Sequence, residues 1–392
     1  MYSFLIIIIY IAFISLGLPD SLLGSAWPVM YGQFGVPLSY AGIVTMIIAG
    51  GTIISSLMSD RLTRKFGAGF VTAVSVLLTA VALFGFSISC SFIILCLWAI
   101  PYGLGAGAVD SALNNYVALH YAPRHMSWLH CFWGVGAALS PYIMSYCLLS
   151  GAGWTTGYRS ISGIQIVLTA ILFISLPLWK RKSCDDCGNQ MPAETLSLPK
   201  ALKIRGLKLA LFTFFSYCAL ESTTGLWASS YLVRYRGIDT DTAARFASLF
   251  YLGITFGRFL CGFIAEKVGD KRLIRIGIIT VMAGVVLVGL PVKIDITALL
   301  GLCVIGLGCA PVYPSIIHAT PANFGKENSQ AVIGIQMASA YVGTTFIPPL
   351  FGVIADHTNI GVYPLFLMFF AVLMLLMSER LKRAITKNAV KL

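Results

Sequence analysis

Charge is what this sequence has least of. Asp, Glu, Lys and Arg make up 11% of its 392 residues, while 58% are hydrophobic. Soluble domains carry about 25% charged residues. A soluble fold of this size has too little polar material to cover so much apolar side chain, so lipid is the simpler solvent. No long polar stretch is present that would form a separate soluble domain. No HExxH, GxSxG or phosphate-binding loop occurs, which argues against a membrane enzyme. No filter-like segment repeats, which argues against a channel. A disulfide framework is also missing. The ten cysteines lie mostly within apolar runs, as Cys96, Cys131, Cys218 and Cys303 do, and read as small apolar residues. Cys184 and Cys187 form a CxxC pair with no second pair or histidine beside it, so no metal site is expected and the pair reads as loop.

What fills the chain instead is a series of apolar runs. The length admits roughly twelve spans of about 20–25 residues with short loops. The breaks place them at 3–33, 38–60, 67–89, 91–121, 125–151, 158–180, 206–234, 240–266, 272–291, 296–322, 328–354 and 360–379. Residues 4–18 have the length of a signal-peptide core. No Lys or Arg precedes them and no small-residue cleavage site stands out, so an uncleaved first span is expected. The one obvious linker, with Asp185, Asp186, Gly188, Pro192 and Pro199, falls near the middle. The expected organisation is therefore an N-terminal six-helix bundle over 1–180, a linker over 181–205, and a C-terminal six-helix bundle over 206–392 ending in a short basic tail.

The net charge of +12 would point to nucleic acid in a soluble protein. Here the positions of the cations point to topology instead. With both termini in the cytoplasm, 21 of the 27 Lys and Arg fall on the cytoplasmic side. They lie in the connections near 61–65, 124, 180–208, 267–275 and 326, and in the tail from Arg380. Five fall outside, and only Arg258 lies within a span. This bias predicts a multi-pass protein of the cell membrane with cytoplasmic termini and no nucleic-acid partner. Nothing implies a protein partner.

The two halves repeat. Asp20-Ser21-Leu22-Leu23-Gly24 precedes Glu221-Ser222-Thr223-Thr224-Gly225 by 201 positions, and Gly103-Leu104-Gly105 precedes Gly306-Leu307-Gly308 by 203. Ser140-Pro141 likewise corresponds to Pro348-Pro349. Three pairs in one order at nearly one offset argue for duplicated halves. Such halves hold substrate between them near the bilayer midplane.

After the second span comes Ser56-Leu57-Met58-Ser59-Asp60-Arg61-Leu62-Thr63-Arg64-Lys65, and after the eighth Gly262-Phe263-Ile264-Ala265-Glu266-Lys267-Val268-Gly269-Asp270-Lys271-Arg272. Both segments resemble the loop signature of the major facilitator superfamily, with Ser56 and Thr63 in place of glycines in the first. The resemblance implies an all-α polytopic protein of 12 transmembrane helices in two pseudo-symmetric six-helix bundles. It also implies a cytoplasmic latch formed by Asp60, Arg61, Arg64, Glu266, Lys267 and Arg272, whose charges bridge helices in one state and release in the other. A narrower segment, Asp110-Ser111-Ala112-Leu113-Asn114-Asn115, resembles the fucose–proton symporter family, which also carries an acid where Asp20 stands. That resemblance implies proton coupling through two carboxylates and a sugar substrate.

The residues support the same chemistry. A charge within a span costs about 2.5–3.5 kcal/mol on insertion scales, which makes Asp20, Asp110, Glu221 and Arg258 functional candidates. A carboxylate closed off from water favours a bound proton or cation, as an ion-coupled carrier requires. Asp20 and Asp110 are the ion-coupling candidates, with H+ or Na+ as the coupling ion and no other cofactor. Sugar hydroxyls need amide and carboxylate partners, and sugar C–H faces need aromatic rings. The substrate-binding candidates are Asn114, His130, Trp133, Glu221, Trp227, Tyr313, His318 and Gln336. The glycine-rich motif of drug–proton antiporters is missing from Gly134–Ile143. The leading expectation is therefore sugar–cation symport by alternating access. Drug or metabolite efflux by proton antiport is the alternative.

Overall fold

A computed structural model describes residues 2–186, 196, 198–291 and 295–389. Cys187 lies outside these residues, as do the other linker positions 188–195 and 197. Among the described residues every regular element is helical. The first part of the chain forms α1 (Tyr2–Gly17), α2 (Leu22–Phe34), α3 (Ala41–Phe66), α4 (Ala68–Ser87), α5 (Phe92–His120), α6 (Pro123–Leu149) and α7 (Gly153–Asp186). The second part forms α8 (Leu198–Ala201), α9 (Leu207–Arg234), α10 (Thr240–Val268), α11 (Asp270–Gly289), α12 (Asp295–His318), α13 (Thr320–Phe324), α14 (Ser329–His357) and α15 (Tyr363–Ala389). Helices satisfy every interior backbone group within one segment, which hydrocarbon demands.

Among the described residues, counting α1 and α2 as one interrupted span, twelve helices are long enough to cross a bilayer. Eleven are also apolar enough by composition. The twelfth, α9, spans 28 residues and carries Thr213, Ser216, Glu221, Ser222, Thr223 and Thr224 among its apolar side chains. The protein is an all-helical, multi-pass membrane protein of twelve transmembrane helices. Large apolar side chains such as Ile93, Leu97, Ile174 and Leu365 stand exposed along these helices, which is the surface that lipid covers.

Three boundaries differ from the spacing-based expectation. The span expected over 3–33 is interrupted at Leu18–Ser21, because Pro19 has no N–H to donate. The backbone crosses the gap with short-range bonds, Asp20 N–H to the Gly17 carbonyl at 3.2 Å and Leu22 N–H to the Pro19 carbonyl at 3.1 Å. α3 continues through Arg61–Lys65, so this half of the signature is helix and not loop. α7 runs on to Asp186, six residues into the segment expected as linker.

By its internal packing the chain divides into two compact units: Met1–Tyr116 with Leu129–Leu196, and Val117–Trp128 with Ser197–Leu392. Each shows the same construction. Gly67 between α3 and α4 has φ +81° and ψ +152°, and Gly269 between α10 and α11 has φ +80° and ψ +150°. That backbone region is open essentially to glycine alone, so both sharp reversals need it. Gly103 on α5 packs against the Ile48 carbonyl of α3, and Gly306 on α12 packs against the Phe250 carbonyl of α10. Two structural coincidences at offsets of 202 and 203 confirm the duplication at the level of backbone geometry.

Candidate functional site

Each unit holds its own set of polar side chains within its spans. In the first unit, Asp20 lies in the gap between α1 and α2, where the helix interruption exposes it. A broken span at membrane depth is tolerated where it lines a cavity or is buried in protein. The Asp20 carboxylate accepts a hydrogen bond from Trp133 Nε1 of α6 at 2.9 Å and a long one from the Tyr102 hydroxyl of α5 at 3.4 Å. Close packing of α1 on α6 makes the first contact possible. Gly17 faces the Trp133 carbonyl and Gly136 faces the Ile14 carbonyl, and a Cβ at either glycine would collide with backbone. Tyr102 is not among the candidates that the sequence offers, although it stands next to Gly103 in a glycine-rich stretch of a span.

Asp110 has the opposite environment. It is buried in α5, and Asn114 one turn on donates its amide to Asp110 Oδ1 at 2.7 Å. The Asn114 carbonyl oxygen in turn lies 3.0 Å from His130 Nε2 on α6. That oxygen only accepts, so Nε2 is the donor and the imidazole's remaining nitrogen is Nδ1. Phe13 of α1 meets the His130 ring edge-on at 5.4 Å. Asp110, Asn114 and His130 thus form one buried chain across α5 and α6. Beside it, Ser56 Oγ donates to the Gly107 carbonyl at 3.3 Å and Thr52 Oγ1 to the Gly103 carbonyl at 3.2 Å, which ties α3 to α5. Gln165 of α7 bridges to the Ser15 carbonyl at 2.9 Å and to Thr79 at 3.0 Å.

In the second unit, Glu221 of α9 and Arg258 of α10 form an ion pair with Nη2 to Oε1 at 3.4 Å. The Arg258 side chain is 3% exposed and that of Glu221 21%, so the acid faces an opening and the base does not. Tyr313 of α12 packs edge-on to Phe214 at 4.7 Å and Tyr217 at 5.9 Å, with its hydroxyl 3.2 Å from the Met337 sulfur. The other candidates stand apart from this pair. Trp227 donates to the Pro348 carbonyl at 2.8 Å, joining α9 to α14. Gln336 is buried and its Oε1 accepts from Thr320 at 2.9 Å. His318 ends α12 with Nδ1 2.7 Å from Asp270 Oδ2. Among the described residues no group of three or more His, Cys, Asp and Glu is placed to hold a metal.

The model of the Major Facilitator Superfamily matches residues 9–184 and 209–387, most of both halves. The chain belongs to the Major Facilitator Superfamily. Among relatives, it is 24% identical to Bypass of stop codon protein 6 of Saccharomyces cerevisiae over 91% of this chain and 78% of that one. It is 20% identical to the glucose/mannose transporter GlcP of Bacillus subtilis over 98% and 96%. Among solved structures, the fucose:proton symporter FucP of E. coli in its outward conformation superposes with a TM-score of 0.78 at 16% identity, over 96% of this chain and 98% of that one. The protein is a transporter and not an enzyme, as members of the superfamily are.

Within that family frame the signature residues occupy helix ends. Asp60 is buried and bonded by Arg64 of its own helix at 2.8 Å, and its Oδ2 has no hydrogen-bond partner among the described residues. Arg61, Lys267 and Arg272 are exposed. Glu266 pairs with Arg124 at 3.3 Å, both exposed. Four residues on from Arg124 in the same helix, Trp128 donates to the Phe259 carbonyl at 3.3 Å and fits over Gly262, where a side chain would collide with it. Arg124 and Trp128 were not among the signature residues. Their partners lie more than 130 positions away, which spacing does not reveal.

Proposed function

We propose that this transporter carries a sugar in symport with protons by alternating access, in the cell membrane with both termini in the cytoplasm. The observation that supports this best is the contrast between two carboxylates in one unit. Asp20 is open, with aromatic donors to hold it, while Asp110 is enclosed and joined to His130 through Asn114. Asp20, with Trp133 and Tyr102, offers the acceptor, the donors and the ring faces that a sugar hydroxyl and its C–H surface use. Asp110 serves as the main ion-linked group, and Asp20 assists it. An ionised carboxylate is tolerated while the path is open to water and costly when the path is closed, so closure favours the protonated form. Proton release is thereby linked to the conformational change, because the two states bind the proton with different affinity. Glu221 and Tyr313 supply further substrate contacts from the second unit. Asp60 and Glu266, with their cationic neighbours, form the latch at the helix ends.

The test is uptake of labelled hexose into proteoliposomes with and without an inward-directed proton gradient. Accumulation that follows the gradient supports symport. Efflux of preloaded compound driven by the opposite gradient would favour antiport, and sodium dependence without pH dependence would keep the carboxylates and change the ion. The orientation is tested by an impermeant thiol reagent on intact cells, which should leave Cys184 and Cys187 unlabelled.

A second reading concerns the substrate's charge. Arg258 is a buried cation beside a more exposed acid, an arrangement in which an incoming carboxylate could replace Glu221. Competition of hexose uptake by a hexuronic acid, lost in Arg258→Lys, would favour an acidic sugar.

A further inference from the structure

Pro19 has no N–H, so the carbonyl four residues back, that of Ser15, loses its ordinary helical donor. The neighbouring N–H groups are spent elsewhere: Leu18 donates to the Ile14 carbonyl at 3.1 Å and Asp20 to the Gly17 carbonyl at 3.2 Å. Ser15 is buried, and a buried carbonyl needs a partner. The partner comes from α7. Gln165, also buried, donates Nε2 to the Ser15 carbonyl at 2.9 Å. A carbonyl only accepts, which fixes the orientation of the amide and turns Oε1 to Thr79 Oγ1 of α4 at 3.0 Å. The Thr79 hydroxyl also has the Val76 carbonyl at 2.9 Å, so its one proton is shared and the Ser15 bond is the firmer tie.

We infer that Gln165 is the positioning residue of the Asp20 site: it satisfies the carbonyl that Pro19 orphans and so holds the break in the first span at the geometry that brings Asp20 to Trp133. The role rests on the proposed reading of Asp20 as a substrate contact. The last turn of α1 is held from two helices. α6 meets it at Gly17 and Ile14, where backbone touches backbone, and α7 meets it at Ser15 through the amide. Asp20 follows Gly17 by three residues, so its carboxylate goes where that turn directs it. Gln165 thus acts through the backbone of α1 and not on the substrate. The second unit has neither half of the device. Leu220 stands 201 positions on from Pro19, and α9 runs unbroken from Leu207 to Arg234. Its last helix, α15, has no amide side chain from Tyr363 to Met377.

The experiment compares the purified full chain in four forms: the parent, Gln165→Leu, Pro19→Ala, and the two substitutions together. Amide hydrogen exchange is read by mass spectrometry, and hexose binding and transport are measured alongside. In Gln165→Leu the amides of Leu18, Asp20 and Leu22 should exchange about ten-fold faster, while peptides of α10 keep the parent rate. Half-saturating hexose should rise about ten-fold, as the Trp133 and Tyr102 contacts loosen together, with the maximal transport rate within about two-fold of the parent's. Pro19→Ala supplies an N–H to the Ser15 carbonyl, so in that background Gln165→Leu should add no further exchange. Parent-rate exchange across 18–22 in Gln165→Leu, or an equal speed-up with Ala at position 19, would overturn the proposal. Faster exchange with unchanged half-saturation would overturn the positioning of Asp20. If the parent binds no hexose, the sugar reading fails, and exchange in the four forms still supports or refutes the role of Gln165 in the break. If Gln165→Leu does not fold, Thr79→Val decides, since it removes only the weaker tie: a rise in exchange of about two-fold across 18–22 supports the proposal, and no rise refutes it.

Discussion

Asp20 and Glu221 stand 201 residues apart at the same place in the repeat, yet their surroundings differ. Asp20 is held by two neutral donors, Trp133 and Tyr102. Glu221 is held by a guanidinium, Arg258. The second difference follows the first. Asp110 on α5 has Tyr313 at the matching place on α12, 203 positions on, so an acid in one unit corresponds to a phenol in the other. Duplication preserved the backbone, down to the dihedral angles of Gly67 and Gly269, while the charges diverged. The first unit carries Asp20 and Asp110 within its spans, and the second pairs Glu221 with the buried Arg258. An ion-coupled carrier needs a group whose charge changes during the cycle. On the proposed function, the first unit holds the group whose charge changes, and the second holds a fixed pair.

The comparison breaks most readily at Arg258. Replacing it with Leu leaves Glu221 without its cation, and loss of one partner of a buried pair costs about 3 kcal/mol. Chemical or thermal unfolding of Arg258→Leu should show that loss, and adding Glu221→Gln should restore most of it. No loss in the single variant would mean that water, and not Arg258, supports Glu221. The next effect is at the helix contact that positions Asp20. Gly136→Val forces a side chain against the Ile14 carbonyl and should cost about 2 kcal/mol by overpacking. It should also weaken hexose binding, because α1 moves away from Trp133. Smaller still is Trp133→Phe, which keeps the ring and removes the N–H. A hydrogen bond of this kind contributes about 1 kcal/mol, so binding should weaken roughly five-fold. Tyr102→Phe removes a 3.4 Å contact and should change binding by less than that. An effect of Tyr102→Phe larger than that of Trp133→Phe would mean that substrate, and not Asp20, is the tyrosine's main partner.

Much of the fold was legible because hydropathy and cation bias act along the chain. Eleven of the spans are apolar by composition, and the more polar α9 still reads as a span from the breaks on either side of 206–234. The Asp60–Arg64 pair is an i, i+4 contact and visible in spacing. The interruption at Pro19 was missed, since the surrounding run is apolar enough to read as one helix. Asp20 was therefore expected inside a regular helix and is found in its gap. The link from Asn114 to His130 crosses the connection between α5 and α6, and the pairing of Glu221 with Arg258 crosses that between α9 and α10. Both depend on how two helices rotate against each other, which composition does not determine. His318 and Gln336 show the same limit: each is polar within or at the end of a span, and each is bonded by a neighbour unrelated to the Glu221 pair.

In the proposed cycle Asp110 is the charge that changes. The direct measurement is gradient-driven hexose accumulation in proteoliposomes containing the parent protein, Asp110→Asn or Glu221→Gln, with exchange of labelled for unlabelled hexose measured alongside. Asparagine mimics the protonated carboxyl permanently. Asp110→Asn should therefore lose accumulation and keep exchange, whereas Glu221→Gln should still respond to the proton gradient. Accumulation by Asp110→Asn at the parent level, or loss of the gradient response in Glu221→Gln alone, would contradict the assignment of coupling to the first unit.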